Sequence, residues 1–206
     1  VLLLLVFLAG PIVWALLGSL SDRALTGPGA ANPQFVGLDN YARLFADPVL
    51  PLSIGITVAF VVGSAIVGQN VVGMLLAVLF RVGSRGLSGV VGVLVVTAWV
   101  LPEIVAAFVS YAFLSAAGAL HALLAGVGIE GPNWLYSLPL LSIILANTWR
   151  GTAFSMMIYR AALDDVPPEV TESAMLDGAG AWQRLRFITL PMIKSTIFTN
   201  LLLTTL

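Results

Sequence analysis

The strongest constraint on this chain is its series of long apolar runs. Residues 1–20 and 52–80 contain no charged side chain, residues 87–114 contain only Glu103, and residues 138–163 only Arg150 and Arg160. Another apolar run opens near residue 190. Crossing about 30 Å of hydrocarbon takes roughly 20 apolar residues as a helix. Each complete run is long enough, and a helix is the one single-segment structure that satisfies its own backbone in lipid. Only 9% of the residues are charged, where a soluble domain carries about 25%. The expected fold class is therefore all-α, a polytopic transmembrane helical bundle with about five spans. Pro11 falls inside the first span, which membrane helices tolerate because neighbours re-satisfy the freed carbonyl.

The ends and the charges refine this reading. Residue 1 is Val rather than a start methionine, and Leu206 stops within an apolar run. The 206 residues thus read as one transmembrane domain truncated at both ends, with a sixth span expected beyond the C-terminus. No basic leader or small-residue cleavage site marks the first run as a signal peptide. Segments 81–87 and 160–194 hold Arg81, Arg85, Arg160, Arg184, Arg186 and Lys194, whereas the alternate side holds Arg23 and Arg43. The positive-inside rule puts the basic segments in the cytoplasm and loops 21–51 and 115–137 outside. A net charge of -1 argues against nucleic acid as a partner, and the lack of cysteine excludes disulfides and thiolate metal sites. Lipid is the partner that composition demands.

Residues 164–191 form a polar island between the fourth and fifth runs. Asp164, Asp165, Glu169, Glu172 and Asp177 lie here, half of the chain's ten acids. Two short helices are expected. Asp165 suits a cap for the first, Pro167 and Pro168 its first turn, and Glu169 and Glu172 the positive end of its dipole. Gly178 stands where a left-handed residue closes a helix. Ala181 to Phe187 then reads as a basic amphipathic helix with Trp182, Arg184 and Arg186. Two readings follow: an interfacial anchor linking two spans, or a helix that docks in a cleft of a soluble partner. Carboxylates are repelled by anionic lipid, which favours docking for the acidic half.

The residues of the island resemble a known motif. Glu172-Ser173-Ala174, then Gly178, then Ile188-Thr189-Leu190-Pro191 reproduces the spacing EAA-x3-G-x9-I-x-L-P of permease subunits in binding-protein-dependent ABC importers. Ser173 for the first alanine is the one departure. Phe35-Val36-Gly37-Leu38-Asp39-Asn40-Tyr41, Gly73 to Ala77, Gly118-Ala119-Leu120, Asn133-Trp134-Leu135, and Asp177-Gly178-Ala179 with Trp182 resemble the carbohydrate branch of that family. His121 departs from it. The resemblance implies a type I importer permease of a bacterial or archaeal cytoplasmic membrane that carries sugars or related polyols. It implies cytoplasmic ABC ATPase subunits, a second related permease and an extracytoplasmic solute-binding protein as partners, with no catalysis and no cofactor in this chain. Glu172, Ser173, Ala174, Asp177, Gly178, Ile188, Leu190 and Pro191 would then couple to the ATPase.

A few membrane-depth residues remain. Glu103 and Arg150 are ionisable within spans, where cost makes function the first hypothesis. The alternatives are a helix break in contact with water at Pro102-Glu103, and an Arg150 that snorkels or pairs with Glu103. Asn147 and Trp149 suit a sugar path, but Asn147 also suits an interhelical hydrogen bond and Trp149 an interface belt. Gln69 and Asn70 read as interhelical glue, and Gly63, Gly68 and Gly73 as close-packing positions. His121 has no neighbouring ligand type, so no metal site is expected. An ion-coupled secondary transporter with Glu103 as coupling carboxylate is the alternative function, though it leaves the polar island unexplained.

Overall fold

The computed structural model describes residues 2–83 and 85–206, so Val1, where the expected first span opens, lies outside it. Among the described residues the regular structure is helical, with one isolated antiparallel bridge between Ser21 and Phe35. The chain divides into two compact units, Val1–Gly55 and Ile56–Leu206.

In the first unit, α1 (Leu2–Ser19) contains Pro11 and is followed by α2 (Pro28–Ala31) and α3 (Asp39–Ala46). The last carbonyls of a helix lack intrahelical partners, and the segment after α1 supplies them. Asn40 Nδ2 donates to the carbonyls of Ser19 at 2.9 Å and Ser21 at 2.8 Å, and the hydroxyls of Tyr41 and Ser19 meet at 2.7 Å. Gly37, at φ +59°, makes the turn that brings α3 back. The Phe35–Tyr41 stretch is thus a clasp on the end of α1.

Helix α4 (Leu50–Phe60) continues through a π-helical segment, Val61–Gln69, into α5 (Asn70–Val82). Then come α6 (Arg85–Val100), α7 (Glu103–Leu114), α8 (Ala119–Gly126), α9 (Trp134–Ser137) and α10 (Pro139–Asp164). The last elements are α11 (Pro168–Leu176), α12 (Ala181–Arg184), a π-helical turn Leu185–Thr189, α13 (Leu190–Met192) and α14 (Lys194–Thr205).

The axis of the second unit is α10, on which α5, the first π-helical segment, α6, α7 and α14 pack. Small residues permit this. A Cβ at Gly63 would lie 2.9 Å from Ile144 Cδ1, and one at Gly73 would lie 2.6 Å from Ser155 Cβ. One at Gly68 would strike Thr148, and one at Gly151 the Gln69 amide. Close backbone approach through small residues is how helices associate in lipid, where apolar burial gives no driving force. Polar residues add specificity. Asn200 Nδ2 donates to Asn70 Oδ1 at 2.7 Å and to Ser155 Oγ at 2.9 Å, while Tyr159 OH also donates to Asn70 Oδ1. Gln69 Nε2 donates to the Asn147 carbonyl at 3.2 Å, and Asn147 Nδ2 to Ser64 Oγ at 2.9 Å. Below this network lies an apolar cluster of Ala77, Tyr159, Ala162, Leu163, Val166 and Ile193.

By length and composition, two helices among the described residues are fit to cross a membrane, Leu50–Arg81 and Glu103–Gly126. The bent pair Ala181–Met192 and Lys194–Thr205 makes a third if it forms one span. Phe7–Ser19 and Ser88–Val100 are shorter apolar helices. Helix α10, at 26 residues, reaches about 39 Å, but its buried polar face dilutes its apolarity. The expected third span, residues 87–114, is not one helix. Pro102 ends α6 and serves as N-cap of α7, since it donates no backbone hydrogen bond and disfavours α geometry in the residue before it. The expected 115–137 loop is partly helical, through α8 and α9. The fifth run does not start at residue 190 either. Helical structure is continuous from Ala181 and bends by 69° beside Ile193.

Candidate functional site

Two places in the second unit gather the residues marked by the sequence. The first is a cleft of about 500 Å³ between α7 and α10. Glu103, Asn147 and Arg150 line it, with Ser110, Tyr111 and Ser142. Glu103 is the first residue of α7, where the positive end of the helix dipole favours a carboxylate. Arg150, one turn beyond Ala146 on α10, points Nη2 at Glu103 Oε1 across 3.2 Å. The carboxylate is 84% exposed and the guanidinium side chain 35%, so water screens this pair and its attraction is small. Arg150 Nε is buried without a hydrogen-bond partner. The cleft therefore offers a neutralised ion pair, an amide and three hydroxyls within apolar walls. Such a surface suits a polar, uncharged solute.

Trp149 is not in that cleft. It lines a neighbouring apolar cavity of about 490 Å³ with Val109, Phe113 and Leu120, because consecutive residues on a helix point about 100° apart. The structure thus brings three of the four membrane-depth candidates together and turns the fourth away. Asn147 makes the interhelical bond to Ser64 as well as facing the cleft. No local motif marks Ser110, Tyr111 or Ser142. Their signal is helical spacing: 103, 107, 110, 111 and 114 share one face of α7, and 142, 143, 146, 147 and 150 one face of α10.

The second place is the polar island. Its first helix, α11, starts at Pro168 with Pro167 as N-cap and no side-chain cap. Asp165 instead ends α10, a correction to the expected cap. At the other end the Ala179 N–H donates to the Ala174 carbonyl at 2.9 Å and the Gly178 N–H to the Met175 carbonyl at 3.0 Å. Those two bonds, with Gly178 at φ +79°, are a Schellman closure. Gln183 Oε1 then accepts from the Gly180 N–H at 2.7 Å, and Arg184 Nη1 donates to the Ala179 carbonyl at 2.8 Å, fixing the reversal.

The closure gives α11 two faces. Ala174 is buried, and Thr171 and Met175 turn toward α5, α10 and α12. Glu169, Glu172, Ser173 and Leu176 are exposed, spaced i, i+3, i+4 and i+7 along one stripe. Leu176 is 90% exposed, and the sequence motif alone does not mark it. Asp177 and Gly178 share a concavity of about 320 Å³ with Ile188, which brings the two halves of the spaced motif together. Leu190 packs on the apolar cluster, while Pro191 stands exposed at the start of α13. Val166 before α11 and Ile193 after α13 are both in that cluster. The island is anchored to the helical core at each end.

Comparison with known proteins adds a third line of observation. Residues 69–206 match the family model described as binding-protein-dependent transport system inner membrane component. The chain is 29% identical over 180 residues to the trehalose/maltose transport system permease protein MalF of Thermococcus litoralis, covering 84% of this chain and 59% of that one. It is 31% identical over 207 residues to the trehalose transport system permease protein SugA of Mycobacterium tuberculosis, covering 100% of this chain and 65% of that one. The lactose transport system permease protein LacF of Rhizobium radiobacter is 30% identical over 203 residues, 95% of this chain and 65% of its own. The chain thus spans 59–65% of these relatives. A chain of the crystal structure of a bacterial ABC transporter involved in import of the acidic polysaccharide alginate superposes with a TM-score of 0.76 at 26% identity, covering 98% of this chain and 68% of that one. The same transporter in complex with an alginate pentasaccharide-bound periplasmic protein gives 0.77 at 25% identity, with 98% and 67% covered.

Proposed function

The chain belongs to the binding-protein-dependent transport system inner membrane component family, and on that premise we propose that it is a membrane-spanning permease subunit of an ATP-driven importer for sugars or related polyols. It does no chemistry of its own. Cytoplasmic ABC ATPase subunits hydrolyse ATP, a second related permease completes the path, and an extracytoplasmic binding protein delivers the solute. The chain sits in the cytoplasmic membrane of a bacterium or archaeon with the polar island on the cytoplasmic side, the orientation that its arginines favour.

One observation carries the coupling role: α11 presents Glu169, Glu172, Ser173 and Leu176 outward from an island whose two ends, at Val166 and Ile193, are seated in the core. A helix free at both ends would absorb a push from a partner, whereas an anchored one passes it on as rigid-body motion. Ser173 permits close approach, and Glu172 offers a carboxylate to a basic group. The α7–α10 cleft, with Glu103, Asn147 and Arg150, serves as part of the solute path. Sugar specificity rests on the relatives named for trehalose, maltose and lactose and on the uncharged balance of the cleft.

The test is co-purification of the full-length protein from native membranes beside Glu172→Lys and Gly178→Val. An ATPase subunit accompanies the wild type and is lost or uncoupled from uptake in both variants. Gly178→Asn is milder than Val, because asparagine tolerates the left-handed region that costs other residues about 1–2 kcal/mol. A wild type that comes alone and moves solute without ATP overturns the proposal in favour of ion-coupled transport through Glu103.

A further inference from the structure

A further cavity of about 550 Å³ lies where α5, α10, α11 and α12 meet. Two guanidinium groups line it, Arg81 from α5 and Arg184 from α12, beside the apolar side chains Val78, Leu163 and Leu185. The five acids of the island stand on α10, α11 and their ends, yet none lines the cavity. Among the described residues neither arginine is in a salt bridge. The cavity thus combines two guanidinium groups with largely apolar walls.

Its depth says what such a cavity meets. Arg81 stands in the last turn of α5, at the end of the apolar stretch Leu50–Arg81, and a membrane-spanning placement of that stretch sets its side chain where lipid hydrocarbon gives way to headgroups. Trp182, 66% exposed, borders the cavity and is the residue type that seeks this boundary. Basic pockets between membrane helices on the cytoplasmic side bind anionic lipid headgroups, and guanidinium matches phosphate geometry. We propose that this cavity holds one anionic phospholipid, its phosphate between Arg81 and Arg184 and an acyl chain along Val78, Leu163 and Leu185. A free anion has no use for the apolar walls. The bound lipid ties α11 and α12 to α5, bracing the coupling segment.

The full-length protein, with whatever subunits accompany it, is placed in discs of phosphatidylcholine containing a minor share of phosphatidylglycerol. The lipid retained after stripping is then identified. The wild type retains phosphatidylglycerol in preference to phosphatidylcholine. Arg81→Gln lowers that retention about fivefold, and Arg81→Gln with Arg184→Gln about 25-fold, since each basic residue near the surface contributes a factor of about five. Arg81 is exposed at a helix end, so its variant keeps the fold and is decisive alone. Arg186→Gln, an exposed arginine outside the cavity, retains the lipid as the wild type does. Equal retention by Arg81→Gln and wild type, equal loss in Arg186→Gln, or displacement by millimolar inorganic phosphate each overturns the proposal. The readout is lipid composition, so it stands apart from whether the importer reading holds.

Discussion

Replacing Gly73 with alanine tests how the helical core is held. A Cβ there lies 2.6 Å from Ser155 Cβ, 2.9 Å from the Met156 backbone nitrogen and 3.1 Å from the Ser155 carbonyl carbon. Carbon atoms settle at about 3.5–4.0 Å, so α5 and α10 must part by about 1 Å. Backbone cannot swing aside as a side-chain tip can. Overpacking of this kind costs about 1–3 kcal/mol, while glycine-to-alanine returns at most about 1 kcal/mol of helix propensity. Parting the helices also strains the bond from Tyr159 on α10 to Asn70 on α5, worth about 0.6 kcal/mol by the average for interhelical hydrogen bonds in membranes. The net expectation is a loss of about 1–2 kcal/mol. Gly63→Ala costs less, because its clash is with the Ile144 Cδ1 methyl, the far end of a flexible chain. Gly89→Ala, with nothing within 4 Å, is neutral or stabilising. Reversible unfolding in bicelles reads the order. If Gly73→Ala falls within about 0.5 kcal/mol of Gly89→Ala, close packing of α5 on α10 is refuted.

The remaining expectations concern the polar groups. Asn200→Ala removes two donated bonds from a fully buried side chain and costs about 1–2 kcal/mol. A double-mutant cycle with Ser155→Ala shows coupling of about 0.6 kcal/mol, whereas strict additivity contradicts the network. Glu103→Gln changes stability by less than about 0.5 kcal/mol, because its partner is met in water. Solute uptake falls nonetheless, and unchanged uptake removes the pair from the path.

The island was legible because its signals are local: a glycine at the closure, prolines at the first turn, and a spaced motif whose ends meet at Asp177, Gly178 and Ile188. The helical class followed from apolar length alone. What stayed hidden depends on three-dimensional packing. Residues 87–114 read as one span by apolar length, yet α6 ends at Val100 and α7 begins at Glu103. Trp149 and Arg150 are adjacent in the chain, yet the helical twist sends them to different cavities. Asp165 has the chemistry of a cap, but Val166 is drawn into the core and shifts the start of α11 to Pro168. The network of Asn70, Ser155, Tyr159 and Asn200 joins residues more than 40 positions apart, beyond any local pattern.

The central claim is that the outward stripe of α11 touches the ATPase. The 206 residues contain no cysteine, so a single cysteine at Ser173 reports that contact by cross-linking in membranes, with one at Ser137 as the control. The account predicts an adduct of Ser173→Cys with an ATPase subunit and none from Ser137→Cys. An ATPase adduct from Ser137→Cys, or its absence from Ser173→Cys when the ATPase co-purifies, contradicts it.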